Sequence, residues 1–427
     1  MYTEKVGPLR RIHLAGQSQV IVKLKTSRPA RRVLHAAATE GRRPAKKGML
    51  ERWLDSKKVA ALEPIFGEAP RRGVETFRRM AVAAETEVES ALAGLNVLSM
   101  SSQKDAQKAR EQITRDPLVE YAYVPPEKYV LLPARGARSQ DPMVNRQWGL
   151  RAIQLFQAEQ MASFPDARRV VIAIIDSGID PNHPDLQGIL LEERSFTSGA
   201  KKDTSGHGTH VAGIIAAVRN NRIGIRGVCS SQKIMSLKAL DPYSATGYYR
   251  AIRHATDDGA QVLNLSLGGG YDPTEETLIK RAMSKGLVVV AAMGNEKQQG
   301  NPKSYPGSIG GVIAVGASTE TDGIASFSNT GSHIDLVAPG VNVLSTVPTY
   351  PTSLADGTDY EAWPGTSMAT PHVAAAAGIL LAKRPKATVR QVRQALVRGA
   401  DKVPGQTRFN TTFGHGRLNV REALRKI

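Results

Sequence analysis

Three short stretches of the sequence concentrate groups that could do covalent chemistry. In Ile174-Ile175-Asp176-Ser177-Gly178-Ile179-Asp180 a carboxylate ends an apolar run. That is the edge at which open α/β sheets place their sites, although a strand-terminal Asp alone reads equally well as a turn or cap. In Gly206-His207-Gly208-Thr209-His210-Val211-Ala212-Gly213, glycines flank His207 and leave its imidazole open at the start of an apolar helix. A general base could face a cleft from there. Two histidines three apart could also ligate a metal, but no HExxH pattern supports zinc. In Pro364-Gly365-Thr366-Ser367-Met368-Ala369-Thr370-Pro371-His372-Val373-Ala374 a serine opens an Ala-rich helix, with a proline in the first turn. Ser367 would meet the positive end of the helix dipole and unpaired N–H groups able to hold an oxyanion. A plain N-cap is the competing reading.

Taken together the stretches are far more specific than any one. They follow in the order Asp, His, Ser, with 31 residues from Asp176 to His207 and 160 from His207 to Ser367. The strings DSGID, HGTHVAG and GTSMATPHVA resemble those of the subtilisin-like serine proteases, peptidase family S8. The resemblance covers about residues 145–427, from Trp148-Gly149-Leu150 to Gly414-His415-Gly416-Arg417-Leu418-Asn419-Val420. It implies a serine endopeptidase with Ser367 as nucleophile, His207 as general base and acid, and Asp176 orienting the imidazole. Asn295, in Ala291-Ala292-Met293-Gly294-Asn295-Glu296, matches the family's oxyanion-hole turn, and Ser266-Leu267-Gly268 matches the edge that pairs with an extended peptide. Small residues at Gly268, Gly269, Ala291 and Ala292 suggest an S1 pocket suited to apolar side chains.

Further implications of the resemblance are coarser. No cofactor is required for the chemistry. A structural calcium ion near Asp185 and Asn220 stays open, because calcium is frequent in the family while Arg219 and Arg222 in the same loop oppose a dication. Trp363 and Cys229 stand where the family has smaller residues. The indole would narrow a subsite, and the thiol reads chiefly as core packing.

The elements that must hold these groups divide the chain in two. From Gln147 onward, apolar runs at Val170–Ile175, Ile234–Leu237, Val262–Leu267, Leu287–Ala292 and Val312–Val315 alternate with helical segments. Runs apolar on both faces are central strands of a parallel sheet between helices, so residues 145–427 read as a doubly wound α/β peptidase domain. Upstream, Gln19–Leu24 and Val119–Val124 read as strands, Leu95–Met100 as a further apolar run, and Gln103–Ile113 and Met49–Leu62 as helices. This gives a small α+β domain over 19–126, preceded by a basic arm (1–18) and followed by a Pro-rich linker (127–144). Its texture resembles an inhibitor-like propeptide, a partner that would dock on the peptidase and be cut away within residues 133–142.

Composition bounds the rest. The 427 residues carry 57 Lys/Arg against 39 Asp/Glu, but residues 1–140 hold a net +11 of the net +18. With no aromatic residues interleaved in the basic arm, nucleic acid is not the expected partner; polypeptides are. Cys229 is the single cysteine, which excludes an internal disulfide framework. No secretory signal or transmembrane run is recognisable, so a cytoplasmic location is expected, with secretion by another route as the alternative. The functional alternative is a catalytically silent protein that binds peptides or nucleic acid through its basic N-terminal region.

Overall fold

The structure, a computed structural model, describes residues 10–13, 19–24, 59–64, 95–100, 102–116, 119–124, 128–132, 144–161, 170–198, 200–229 and 231–427. In the N-terminal part, β1 (Arg10–His13), β2 (Gln19–Leu24), β3 (Val59–Pro64) and β4 (Leu95–Met100) precede helix α1 (Gln103–Ile113), then come β5 (Val119–Tyr123) and β6 (Lys128–Leu132). Four of these strands form an antiparallel sheet in the order β3-β4-β2-β5. Successive side chains of a strand point to opposite faces, and β2 shows both uses. Val20 and Val22 pack with Ala106, Ala109 and Ile113 of α1, whereas Ile21 joins Leu95 and Val97 in the main core of the molecule. Ser102 caps α1, accepting the Asp105 N–H at 3.1 Å.

Three expectations change here. Residues 59–62 belong to β3 rather than to a helix over Met49–Leu62, whose first part lies outside the described residues. A short apolar run does not by itself separate the two states, and pairing with β4 decides for strand. The linker is not wholly irregular, because residues 128–132 form β6. The arm likewise contributes β1, which pairs antiparallel with β6.

The larger part opens with two short helices, α2 (Trp148–Ala152) and α3 (Leu155–Glu159), and continues through β7 (Val171–Asp176), β8 (Leu190–Ser195), α4 (His207–Ala216), β9 (Lys233–Lys238), α5 (Ala245–Asp257), β10 (Val262–Leu265) and β11 (Gly268–Gly269). Then follow α6 (Pro273–Ser284), β12 (Val288–Ala292), β13 (Ile313–Ser318), β14 (Leu336–Pro339), the hairpin β15 (Val343–Val347) and β16 (Asp359–Trp363), α7 (Thr366–Lys383), α8 (Val389–Gly399) and α9 (Val420–Lys426). Seven strands form one parallel sheet in the order β14-β13-β12-β10-β7-β9-β8. The chain therefore starts in the interior at β7, passes to the edge strand β8, returns to β9 between the two, then crosses to β10 and winds the other way. Such a reversal leaves a crevice at the carboxyl ends of the central strands, where Asp176 ends β7. The runs read as central strands are buried except at Val171, which is half-buried, and α7 crosses the sheet almost wholly buried. The sequence did not mark β8 or β14, which lie at the sheet's edges.

Candidate active site

Asp176 and His207 meet because two backbones touch. His207 is the first residue of α4, and Gly206 before it sits in the left-handed region at φ 92°, which a side chain would strain. A Cβ on Gly208 would lie 2.0 Å from the Gly178 carbonyl oxygen, so only glycine lets the helix start rest on the turn after β7. The result places His207 Nδ1 2.9 Å from both Asp176 carboxylate oxygens. Asp176 Oδ1 also accepts the Ser177 N–H at 2.7 Å. With Nδ1 held by the carboxylate, Nε2 is the nitrogen left to exchange a proton; it is buried and has no hydrogen-bond partner among the described residues.

Ser367 is the second residue of α7, and Pro371 lies in the second turn of that helix, not the first. The position matters. A proline has no N–H for the carbonyl four residues back, which here is that of Ser367. Ser266 takes the vacancy, donating its hydroxyl to the Ser367 oxygen at 2.9 Å, while Ser367 Oγ donates to the Ser266 carbonyl at 3.0 Å. The reciprocal pair ties the start of α7 to the segment after β10. Ser266 thus has a contact that its sequence neighbours did not suggest, whereas Pro371 four residues after Ser367 was the readable signal.

Asn295 lies in the turn after β12. Its side-chain oxygen accepts the Thr366 N–H at 2.9 Å and the Thr366 hydroxyl at 2.8 Å, and its backbone N–H donates to Glu296 Oε2 at 3.0 Å. With Oδ1 claimed by the residue beside Ser367, the amide nitrogen is the group left to point elsewhere. Thr366 escaped the sequence reading although it stands inside the GTS string.

Leu267 is buried, and Gly268–Gly269 form the short strand β11. Its backbone is paired antiparallel with β6, Gly268 opposite Tyr129 and Gly269 opposite Lys128, so that β1, β6 and β11 make a three-stranded sheet. Asp176, His207 and Ser367 are each at most 1% exposed.

Two side-site expectations are corrected. Asp185 is a carboxylate held by donors: Asn221 Nδ2 at 2.5 Å, the Ile225 N–H at 2.7 Å and the Tyr360 hydroxyl at 2.8 Å. Asn221, not Asn220, reaches it. Among the described residues no three His, Cys, Asp or Glu gather as a metal group. Trp363 does not narrow a subsite; its ring stacks on His210, centroids 4.6 Å apart and planes 2° apart. His210 Nε2 lies 3.1 Å from the Glu361 carbonyl oxygen, and burial pushes its pKa down to about 3. Cys229 is buried in the core, as expected from a small apolar side chain.

Comparison with known proteins follows the geometry. Residues 167–416 match the Subtilase family, Peptidase_S8. The chain is 36% identical over 369 residues to the thermophilic serine proteinase of Bacillus sp. strain AK1, covering 85% of each chain. That span exceeds residues 145–427, so the similarity reaches into the N-terminal part. It is 42% identical over 266 residues to subtilisin of Bacillus pumilus, covering 60% of this chain and 90% of the relative. Fervidolysin from Fervidobacterium pennivorans, described as a keratinolytic enzyme related to subtilisin, has the same fold with a TM-score of 0.68 at 23% identity. The match covers 97% of this chain and 63% of that one, so the chain spans less than two thirds of fervidolysin's length. The chain belongs to the subtilase family of serine proteases.

Proposed function

We propose that the chain is a serine endopeptidase that works through Asp176, His207 and Ser367, and that it is made as a proenzyme. The observation that carries the catalytic assignment is the His207 Nδ1 contact to Asp176 at 2.9 Å, with Ser367 at the start of the buried helix α7. In the reaction, the Ser367 hydroxyl leaves the Ser266 carbonyl, gives its proton to His207 Nε2 and attacks the scissile carbonyl carbon. Asp176 stabilises the imidazolium, which then protonates the leaving amine; water repeats the sequence to release the acyl group. The oxyanion would be held by the Asn295 side-chain amide, oriented by Thr366, and by N–H groups at the start of α7. Peptide substrate would add as a strand along Ser266, Leu267 and Gly268.

The proenzyme reading rests on β6. A strand lying antiparallel on Gly268–Gly269 occupies the edge that a substrate would use, and the three catalytic groups have almost no exposed surface. Residues 19–126 then act as a prodomain that docks through one face of its sheet, β6 within the 127–144 segment as the tail filling the cleft, and the arm (1–18) as a strand outside it. A cut within residues 133–142 would free the tail; that segment lies outside the described residues.

Labelling with a fluorophosphonate probe tests the catalytic assignment. One label per molecule at Ser367, absent in His207→Ala, is expected; a label at another residue, or none before and after removal of residues 1–140, would sink it.

A further inference from the structure

One carboxylate outside the triad touches both sides of the Asp176–His207 pair without touching either residue. Asp203 has no exposed surface. Its Oδ1 accepts the Ser177 hydroxyl at 2.8 Å, the Gly206 N–H at 2.8 Å and the Ser205 N–H at 3.2 Å. Its Oδ2 accepts the Thr209 hydroxyl at 2.6 Å and the Thr209 N–H at 3.0 Å. Ser205 and Gly206 are the two residues before His207, and Thr209 stands in the first turn of its helix. Ser177 directly follows Asp176 and belongs to a different element. The Ser177 hydroxyl in turn accepts the Gly208 N–H at 3.0 Å, and its backbone N–H donates to Asp176 Oδ1.

We propose that Asp203 is a positioning residue for catalysis, fixing the register between the turn that carries Asp176 and the helix start that carries His207. This role rests on the triad reading above. Its physical basis is donor counting. All five contacts come from donors, and an ionised carboxylate is the one side chain of this size that accepts on every side. Capping of α4 alone would not require the bond to Ser177, which crosses to the β7 turn. An amide at the same place would set an NH2 group against N–H donors and leave buried groups unpaired. The two loops would then settle at a different separation, and displacements of about 1 Å at a reacting centre cost on the order of 10²-fold in turnover. Thr209 extends the same link, because its hydroxyl also accepts the Asp180 N–H at 2.9 Å.

The test uses the purified enzyme and dye-labelled casein, with active sites counted by fluorophosphonate labelling so that unfolded molecules drop out. For Asp203→Asn, kcat per labelled site is expected to fall about 10²-fold while KM stays within about threefold. Should that variant fail to fold, Thr209→Val and Thr209→Ser carry the test. The valine variant, lacking the hydroxyl, is expected to lose about tenfold in kcat, and the serine variant, which keeps it, to match the wild type. Wild-type kcat per labelled site in Asp203→Asn, or equal kcat in the two Thr209 variants, would overturn the role and leave the triad standing. A wild type that is not labelled at Ser367 would overturn the triad reading and this role with it.

Discussion

The two largest sheets among the described residues differ in what covers them. The seven-stranded parallel sheet packs against helices of its own part, and all its strands but the edge strand β8 are almost wholly buried. Among the described residues the four-stranded antiparallel sheet has helix α1 on one face; on the other, Ile21, Leu95 and Val97 merge into the main core. Its own described core is small: Val20, Val22, Met100, Ala106, Ala109, Ile113 and Val119. Small cores are marginal, and the described part of this sheet adds to its own core by docking on the main one through Ile21, Leu95 and Val97. A cover built in this way can be detached without dismantling what it covers. The polar clasp of the seam has the same character. The Tyr123 hydroxyl donates to Asp272 Oδ1 at 2.8 Å and lies 2.5 Å from Thr274 Oγ1, while Asp272 also caps α6 by accepting the Thr274 and Glu275 N–H groups. Burial raises the Tyr123 pKa well above the usual phenol range, so the hydroxyl stays a donor at any working pH.

The strongest way to break this contrast is to remove the chemistry from the larger part. Ser367→Ala is expected to lose about 10⁶ in turnover, a magnitude known from subtilisin rather than derived from this structure. The full chain should also persist uncut on a gel. Processing at the wild-type rate would show that the cut is not made by this site. Next in size is Asn295→Ala, for which kcat should drop by about 10²–10³, again a magnitude taken from subtilisin. A KM change with kcat intact would mean that the amide holds substrate and not the oxyanion.

Tyr123→Phe sharpens the seam itself. Deleting the hydroxyl removes one donor from Asp272, which keeps the Tyr249 hydroxyl and the Thr274 and Glu275 N–H groups, and a hydrogen bond to a charged group contributes about 1.5–3 kcal/mol. Inhibition of the mature enzyme by added N-terminal part should weaken roughly tenfold to a hundredfold. Unchanged inhibition would place the affinity elsewhere in the seam.

The smallest effect separates the two parts by acid. His210 and His372 are buried in the larger part, with pKa values pushed down to about 3 and about 4, burial being the main cause. Both lie below the unfolded value of about 6.5. The unfolded chain therefore binds more protons between those limits, and the stability from each neutral imidazole is complete above about pH 6.5 and lost as pH falls toward 3–4. The slope is up to about 1.4 kcal/mol per pH unit for each histidine. His210→Phe, which can keep the stack on Trp363, should flatten the fall of Tm between pH 7 and pH 4. An equally steep fall would assign acid sensitivity to other groups.

Much of this was legible in the sequence for a physical reason. The strands read between Val170 and Val315 announce themselves because a parallel sheet buried on both faces makes them mostly apolar, with only Ser236, Asn264 and Ser266 polar in the runs. Asp176, His207 and Ser367 stood out because each lies at a strand end or helix start with a residue type that could do the chemistry. Contacts across the chain left no such trace. Ser266 lies 101 residues from Ser367, and Asp272 149 from Tyr123; neither pairing has a local signature. Asp185 is a further case, since the loop residue that reaches it is Asn221 and not Asn220, and its Tyr360 partner lies 175 residues away. At Val59–Leu62 the local apolar spacing fitted a helix, and a ladder to β4 outweighed it.

The central claim is that a complete catalytic site in the larger part is covered by a strand of the smaller one. The rate of fluorophosphonate labelling at Ser367, compared between the intact chain and the chain after residues 1–140 have been cut and separated, tests it most directly. The account predicts slow labelling of the intact chain and a rate at least about tenfold higher after separation. Equal rates in the two forms would contradict it.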